Sequence, residues 1–526
     1  MRIMRRPLTK QAETVAVGLT TFALYVATRY PGLGGRVNYG DSAKFAFLGA
    51  IGGIGHPPGN PLYTLLTVLA VRVPGLTPAT AVTLLSALFG AATIALVYGT
   101  ARRTFSAVSA LAAAGAVALG PIFWTFSTEP EVYTLNTFFI ALAVAGATAA
   151  PLGDLSKKRE GAVLRWGALA LASALAGLGN HLTIICLFPP LLVQLGARLP
   201  TTFGGRARSG SMLLPVAVVL AGLIVGGGSY GYLLLRRNAA EYSEFSAVLG
   251  SETFVDFVTA KAKHTEMRLP TAAVLFGEIL PRIAEFLQRQ WAFPMLLCVG
   301  AGWQPLVAAW GRRPVLFLLA SALLFTAFPC YFRIPDGDGH LLPVYVFAAP
   351  FLAAWIDARG TSVAKFAKVA VLAALIGPPA SLHVATWTRL FSRTSVDDIG
   401  HGPVAWELPE VVRTIPVGAT LWIPCNHYGC VEVVNYVRWT DPAVRERRIS
   451  FAVPEEPRGY AWSDPPPPAA PATDARPAAP ICSLHEEDFR DWRQRRWSTR
   501  RWDRPAHQVA GKSYEGVPIF CTFGPE

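Results

Sequence analysis

Apolar residues run through this chain in long blocks. Such blocks occupy about residues 13–29, 79–100, 106–125, 132–150, 164–178, 181–198, 211–235, 290–310, 314–331, 341–356 and 366–386. Most come close to the roughly 20 residues that a helix needs to cross a bilayer, so the pattern predicts about 11 transmembrane helices. The first block runs into Tyr30 and Pro31 without a small-residue cleavage pattern. It is expected to stay as a first span and not to be removed as a signal peptide. The segment 61–73 is apolar as well, but it would reach only roughly 20 Å as a helix.

Short basic clusters decide how that segment is used. If 61–73 crossed the membrane, Arg102 and Arg103 would fall on the opposite side from Arg2, Arg5, Arg6 and Lys10. If it lies along the interface, those residues share one side with Lys157, Lys158 and Arg159, with Arg206 and Arg208, with Arg312 and Arg313, and with Lys365 and Lys368. Cytoplasmic loops are enriched in Lys and Arg, which favours the interfacial helix. The outer face then receives the loop 31–73, the corners 127–133 and 179–181, the loop 333–340, a longer loop 236–289, and everything after about residue 387.

From there the composition changes, with more Trp, Pro and charge, and runs such as 420–424 and 431–437 alternate as strands do. The expected fold is an α-helical polytopic membrane domain, residues 1–386, followed by a small soluble α/β domain, residues 387–526, on the outer face. Pro465 to Pro468 and the Ala-Pro-rich sequence up to Pro480 read as a stiff linker. Cys425, Cys430, Cys482 and Cys521 fall in the second domain, where an even count in an oxidising compartment suggests disulfides. Cys425 with Cys430 and Cys482 with Cys521 is one of three pairings. A zinc site is the weaker alternative, because no second ligand pair has zinc-finger spacing. Cys186, Cys298 and Cys330 lie in or at spans as buried thiols.

Composition supports this class. Only 15% of the 526 residues are charged, against about a quarter in an ordinary soluble protein. That excludes a disordered chain and argues against a cytosolic enzyme. The 47 basic and 34 acidic residues leave a net charge of +13. The positive residues sit in topology-setting clusters and form no continuous patch, so nucleic acid is not an expected partner.

The few polar residues near membrane depth collect in the outer corners. Asp41 and Lys44 stand between the first span and the interfacial helix, where an ion is costly unless it has a partner or a task. His56 and Asn60 are held by the prolines and glycines of His56-Pro57-Pro58-Gly59-Asn60-Pro61. Glu129 and Glu131 precede Tyr133 and Asn136; Asn180 and His181 join two apolar spans; Arg333, Asp336, Asp338 and His340 crowd one loop. Each has a plainer alternative. Asp41 could cap a helix beginning near Ser42, and the two glutamates could serve as first-turn acids. His181 could be a satisfied core residue, and Asp338 part of a solvated turn. Asp336 and Asp338 are too few for a calcium loop. Arg333 at a helix end could hold a phosphate bidentately. Together the corners suit an amphipathic substrate whose tail stays in the bilayer.

At these residues the sequence resembles the GT-C superfamily of membrane glycosyltransferases, and within it the protein O-mannosyltransferase-like family formerly described as a domain of unknown function. That family carries Asp-Ser-Gly-Glu, then His-Pro-Pro-Gly-aromatic-Pro-Leu, then Glu-Val-Tyr with a following Asn, then Asn-His. The matching residues are Asp41-Ser42, His56-Pro57-Pro58-Gly59, Pro61-Leu62-Tyr63, Glu131-Val132-Tyr133 with Asn136, and Asn180-His181. The likeness covers about the first 200 residues well. There are two departures: the pair Ala43-Lys44 replaces Gly-Glu, reversing a charge beside Asp41, and Asn60 replaces the aromatic.

The resemblance implies inverting transfer of a sugar from a polyprenyl-phosphate donor to a hydroxyl of a protein, glycan or lipid acceptor on the periplasmic or extracellular side. Asp41 is expected as the base, with Glu131 sharing that role or orienting the sugar. Lys44, His56, Arg333 and Asn60 are expected at the donor phosphate. Tyr133, Asn136, Asn180, His181 and Asp336 are expected to line the pocket. No metal is expected among the ligands. Intramembrane ionisable residues also mark transporters, and a non-catalytic partner in envelope polysaccharide assembly is the third reading, encouraged by Lys44.

Overall fold

The structure, a computed structural model, describes residues 9–29, 39–149, 157–197, 212–239, 242–243, 253–261, 264, 267–291, 293–332, 338–359, 403–423, 428–452, 480–483, 497–502, 507–509, 512–514 and 519–525. The chain divides into two compact units. One comprises Met1–Arg29, Gly52–Leu66 and Thr83–Ala385; the other comprises Tyr30–Ile51, Thr67–Val82 and Thr386–Glu526.

Among the described residues, four helices are long and apolar enough to cross a membrane: Pro78–Arg102, Leu213–Arg236, Arg312–Tyr331 and Gly339–Ala358. Their outward side chains are apolar. Leu213, Ile224, Leu235 and Leu323 are each more than two thirds exposed, which is the surface of a protein solvated by lipid. The chain is a multi-pass membrane protein. Its helices meet through small residues: Gly222 and Gly226 of Leu213–Arg236 lie against the backbone of Ala172 and Leu175 in Lys157–Leu178. A side chain at either glycine would push the helices apart.

Several expected spans are interrupted. The block 106–125 forms two helices, Ala107–Ala118 and Pro121–Ser127, bent by 70°. Pro121 lacks the N–H needed to continue the first helix. Gln290 stabilises the break: its Oε1 accepts from Ile122 N (2.9 Å) and Phe123 N (3.0 Å), and its Nε2 donates to Val117 O (3.2 Å). A Cβ at Gly120 would collide with that Gln290 side chain. The block 290–310 splits into Phe293–Ala301 and Trp303–Trp310 around Gly302, which lies against the Phe351 backbone. The block 181–198 begins as a 3-10 helix, Leu182–Leu187, and continues as Phe188–Gly196 with prolines in its first turn. The first block forms Lys10–Ala27, where Glu13 accepts from Arg102 Nε at 2.7 Å and from the Tyr98 hydroxyl at 2.9 Å. Segment 61–73 supplies the ten-residue helix Pro61–Ala70, about 15 Å long. The expected span at 366–386 lies outside the described residues.

In the other unit, strands β1 (Thr420–Trp422), β2 (Ser450–Ala452), β3 (Ile481–Ser483), β4 (Trp497–Trp502) and β7 (Ile519–Pro525) form a sheet of order β2-β1-β3-β7-β4. β5 (His507–Val509) and β6 (Lys512–Tyr514) pair separately. β1 runs parallel to β2 and β3, and β7 antiparallel to β3 and β4. Parallel neighbours need a crossover, and the helices Tyr428–Thr440 and Pro442–Glu446 provide it between β1 and β2. Residues 431–437, expected as a strand, therefore belong to a helix. Val433, Val434 and Val437 are buried at a spacing of three and four, and that face packs on the helix Tyr39–Ile51. Cys482 and Cys521, facing partners of β3 and β7, form a disulfide. Cys425 and the side chain of Cys430 lie outside the described residues.

Candidate functional site

Helix ends of the first unit converge on the expected corners. The Pro57–Pro58 peptide is cis, and Gly59 (φ 85°) and Asn60 (φ 39°) both adopt left-handed backbone, a conformation Asn tolerates better than most side chains. A Cβ at Gly59 would meet the Phe257 ring at 2.9 Å. Thr64 N donates to Asn60 O at 3.0 Å, which starts the helix Pro61–Ala70. Leu62 N donates to Gly179 O at 2.8 Å, so this loop is bonded to the Asn180-His181 corner. His56 is half-buried.

The corner after Pro121–Ser127 is buried, including Glu129 and Glu131. Neither acid acts as a helix cap. The helix Tyr133–Thr148 has Val132 at its N-cap and no acid in its first turn. Glu131 is positioned through its backbone: its N–H donates to Ser86 Oγ (3.0 Å), and Ser86 Oγ donates back to its carbonyl (3.3 Å). The Tyr63 hydroxyl lies 3.1 Å from the same Ser86 oxygen. The Ser86 hydroxyl proton goes to the Glu131 carbonyl, so Tyr63 donates to Ser86.

His181 caps the 3-10 helix Leu182–Leu187. Its Nδ1 accepts from Thr183 N at 3.3 Å and lies 2.7 Å from Thr183 Oγ1. A backbone N–H can only donate, so Nδ1 is unprotonated and the neutral ring carries its proton on Nε2. The Thr183 hydroxyl then donates to Nδ1 and accepts from Asn136 Nδ2 at 3.1 Å. Asn136, Thr183 and His181 thus form one directed chain that leaves His181 Nε2–H as a donor.

Tyr133, His181 and His340 pack as three rings, with centroids 5.4 Å apart for Tyr133–His181, 5.4 Å for Tyr133–His340 and 5.2 Å for His181–His340. A Cβ at Gly339 would enter the Tyr133 ring, so only glycine allows His340 this approach. His56 and His340 are close enough to His181 to act on it electrostatically. His340, Tyr63, Ser86 and Thr183 were not among the expected site residues. His340 closes the charged run 333–340 and Tyr63 ends the His-Pro-Pro-Gly motif, whereas Ser86 and Thr183 carry no sequence signal.

Asn180 Nδ2 donates to Val132 O (3.0 Å), and Asn136 N donates to that same carbonyl (3.1 Å). The side-chain oxygens of Asn60, Asn136 and Asn180 are buried with no hydrogen-bond partner among the described residues. Asp41 and Lys44 belong to the second unit. Asp41 lies half-buried in the first turn of Tyr39–Ile51. Lys44, expected at a phosphate, is fully buried and paired with Glu432 Oε1 at 2.9 Å. Arg333 and Asp336 lie outside the described residues. Among the described residues no three His, Cys, Asp or Glu side chains gather as a metal site.

The described helices form a polytopic helical membrane fold with these polar corners at its helix ends. The fold matches ArnT from Cupriavidus metallidurans, both in a crystal structure bound to undecaprenyl phosphate (TM-score 0.53, 15% identity) and in the apo state (0.53, 14%), over 98% of each chain in both cases. Residues 41–198 match the model of the Protein O-mannosyl-transferase TMEM260 N-terminal domain family. The mouse Protein O-mannosyl-transferase TMEM260 is 31% identical over 188 residues, 35% of this chain. The chain matches only 26% of that relative's length.

Proposed function

We propose that this protein is a GT-C-type glycosyltransferase that moves a sugar from a polyprenyl-phosphate donor to an acceptor hydroxyl on the outer face of the membrane. The observation that carries the reading is the hydrogen-bonded convergence of the His56–Asn60 loop, the Glu131–Tyr133 corner and the Asn180-His181 corner, all inside the O-mannosyl-transferase family segment 41–198. ArnT was crystallised with undecaprenyl phosphate, and a lipid phosphate of that kind suits a buried polar site in a membrane protein.

In the proposed reaction the acceptor oxygen attacks the anomeric carbon as the bond from that carbon to the phosphate oxygen breaks. The phosphate leaves with the electron pair, and a carboxylate takes the acceptor proton. Asp41 is our candidate base and Glu131 orients the sugar or shares that task. The charge growing on the phosphate calls for preorganised donors; His181 Nε2–H is one, with His56 and Arg333 as further candidates. The sheet-containing C-terminal region, which we place on the same outer face, would present a protein or glycan acceptor.

The test uses the full chain in nanodiscs with undecaprenyl-phosphate mannose or glucose and a hydroxyl acceptor mixture from the cell envelope, measuring released undecaprenyl phosphate. Release by the wild type, lost at least a hundredfold in Asp41→Asn or Glu131→Gln, supports the reading. Identical release by wild type and both variants rejects the assigned carboxylates. Absence of release with every sugar donor favours a non-catalytic partner.

A further inference from the structure

Asn60, Asn136 and Asn180 pose a question that phosphate binding does not answer. Their side chains are 4%, 1% and 1% exposed, and each has an amide oxygen with no hydrogen-bond partner among the described residues. Two of the three amide orientations are set by the network. Asn180 faces the Val132 carbonyl, which can only accept, so Nδ2 must point there. Asn136 faces Thr183 Oγ1, whose proton is directed to His181, so Nδ2 must point there too. Their oxygens are therefore acceptors left open by the fold.

The Asn180 side-chain amide and the Asn136 backbone N–H share one carbonyl, Val132 O, and Asn60 sits two residues from Leu62, whose N–H is bonded to Gly179 O beside Asn180. Three desolvated acceptors held in one region by backbone contacts need donors. An ionised phosphate has none to offer, and an alkyl chain has none either. A sugar ring offers several O–H groups. Buried polar atoms are almost always satisfied, so an empty trio of acceptors beside the family motifs implies a hydroxyl-rich ligand.

We propose that Asn60, Asn136 and Asn180 form a hydroxyl-reading subsite that accepts hydrogen bonds from the sugar head of the lipid donor. This assignment rests on the donor class proposed above and goes further in separating sugar recognition from phosphate recognition. Asn60, whose motif neighbours suggested a phosphate contact, is assigned through its oxygen to the sugar.

The experiment measures competition against radiolabelled undecaprenyl phosphate bound to the full chain in nanodiscs. The competitors are unlabelled undecaprenyl phosphate and its mannose, glucose and arabinose derivatives. We expect at least one sugar lipid to compete about tenfold or more better than the bare lipid, since a desolvated acceptor gains a donor only from the sugar. In Asn136→Leu and Asn180→Leu the ratio of sugar-lipid to bare-lipid competition, both measured on the same variant, should fall to about one. Deoxy analogues of the preferred sugar, tested on the unaltered protein, should lose about tenfold at the hydroxyls that are read. This arm needs no variant to fold. No preference for any sugar lipid, a preference retained in both leucine variants, or deoxy analogues bound as well as their parent each overturn the subsite. Failure of undecaprenyl phosphate itself to bind removes the donor reading, and the subsite falls with it.

Discussion

Removing Glu432 should be among the most damaging single changes in the second unit, because of what it leaves behind. Lys44 Nζ lies 2.9 Å from Glu432 Oε1, and neither side chain is exposed. Asn435 Nδ2 approaches the other carboxylate oxygen at 3.4 Å. The pair joins the helices Tyr39–Ile51 and Tyr428–Thr440. Two buried charges at contact distance largely offset their own desolvation, whereas one alone does not. Glu432→Ala should therefore cost about 3–5 kcal/mol, while Lys44→Met with Glu432→Leu, which buries no charge, should be close to neutral. Lys44→Glu, the residue the O-mannosyltransferase-like family carries there, would set two carboxylates against each other and should be worse than Glu432→Ala; adding Glu432→Lys should restore the pair. Hydrogen exchange of amides in Tyr428–Thr440, measured on the full chain, reads the loss directly. At about 1.4 kcal/mol per factor of ten, exchange through opening of this contact should accelerate by roughly two to four orders of magnitude in Glu432→Ala. A change below tenfold, or a double apolar variant as damaged as the single one, would refute the argument that an uncompensated buried charge sets the cost.

Three further outcomes follow from contacts elsewhere. Thr183→Val removes the hydroxyl between Asn136 and His181, so nitrogen-15 NMR of labelled histidine should show a mixed His181 tautomer population and KM for the lipid donor should rise several-fold; Thr183→Ser should preserve both. Gln290→Leu leaves the buried N–H groups of Ile122 and Phe123 without their acceptor. At about 1–3 kcal/mol for each, exchange in Pro121–Ser127 should rise at least tenfold, and an unchanged rate would mean that the 70° bend does not depend on this cap. Reducing Cys482–Cys521, which closes a loop of sequence separation 39, should destabilise the sheet by roughly 4 kcal/mol on chain-entropy grounds. The check is sheet-amide exchange with and without reductant, compared with a Cys482→Ala, Cys521→Ala variant.

How much of this was legible varies with the physics involved. Apolar blocks such as 79–100 and 314–331 stand out because crossing a bilayer is a one-dimensional demand on length and hydropathy. The block 106–125 satisfied the same demand and still broke, because Gly120-Pro121 permits a turn and a distant Gln290 satisfies the exposed donors. Residues 431–437 alternate well enough to resemble a strand, yet helical burial against Tyr39–Ile51 prevailed. Among the candidate site residues, His56, Glu131, Asn136, Asn180 and His181 were conspicuous as rare polar groups in an apolar chain. Ser86 and Thr183 were not, since small hydroxyl residues are common in helices and acquire a role only from what lies beside them.

The sequence by itself determined a multi-pass membrane protein, the corners where its polar groups collect, and the resemblance of about its first 200 residues to the O-mannosyltransferase-like family. These rest on composition, run length and local motifs, none of which requires knowing which segments touch. Only the tertiary structure decided that Lys44 is committed to Glu432, that His181 carries its proton on Nε2, that His340 joins its ring cluster, and that three asparagine oxygens are left waiting for donors. Each depends on a partner far away in sequence, and the energy of a buried charge or hydrogen bond is set by that partner.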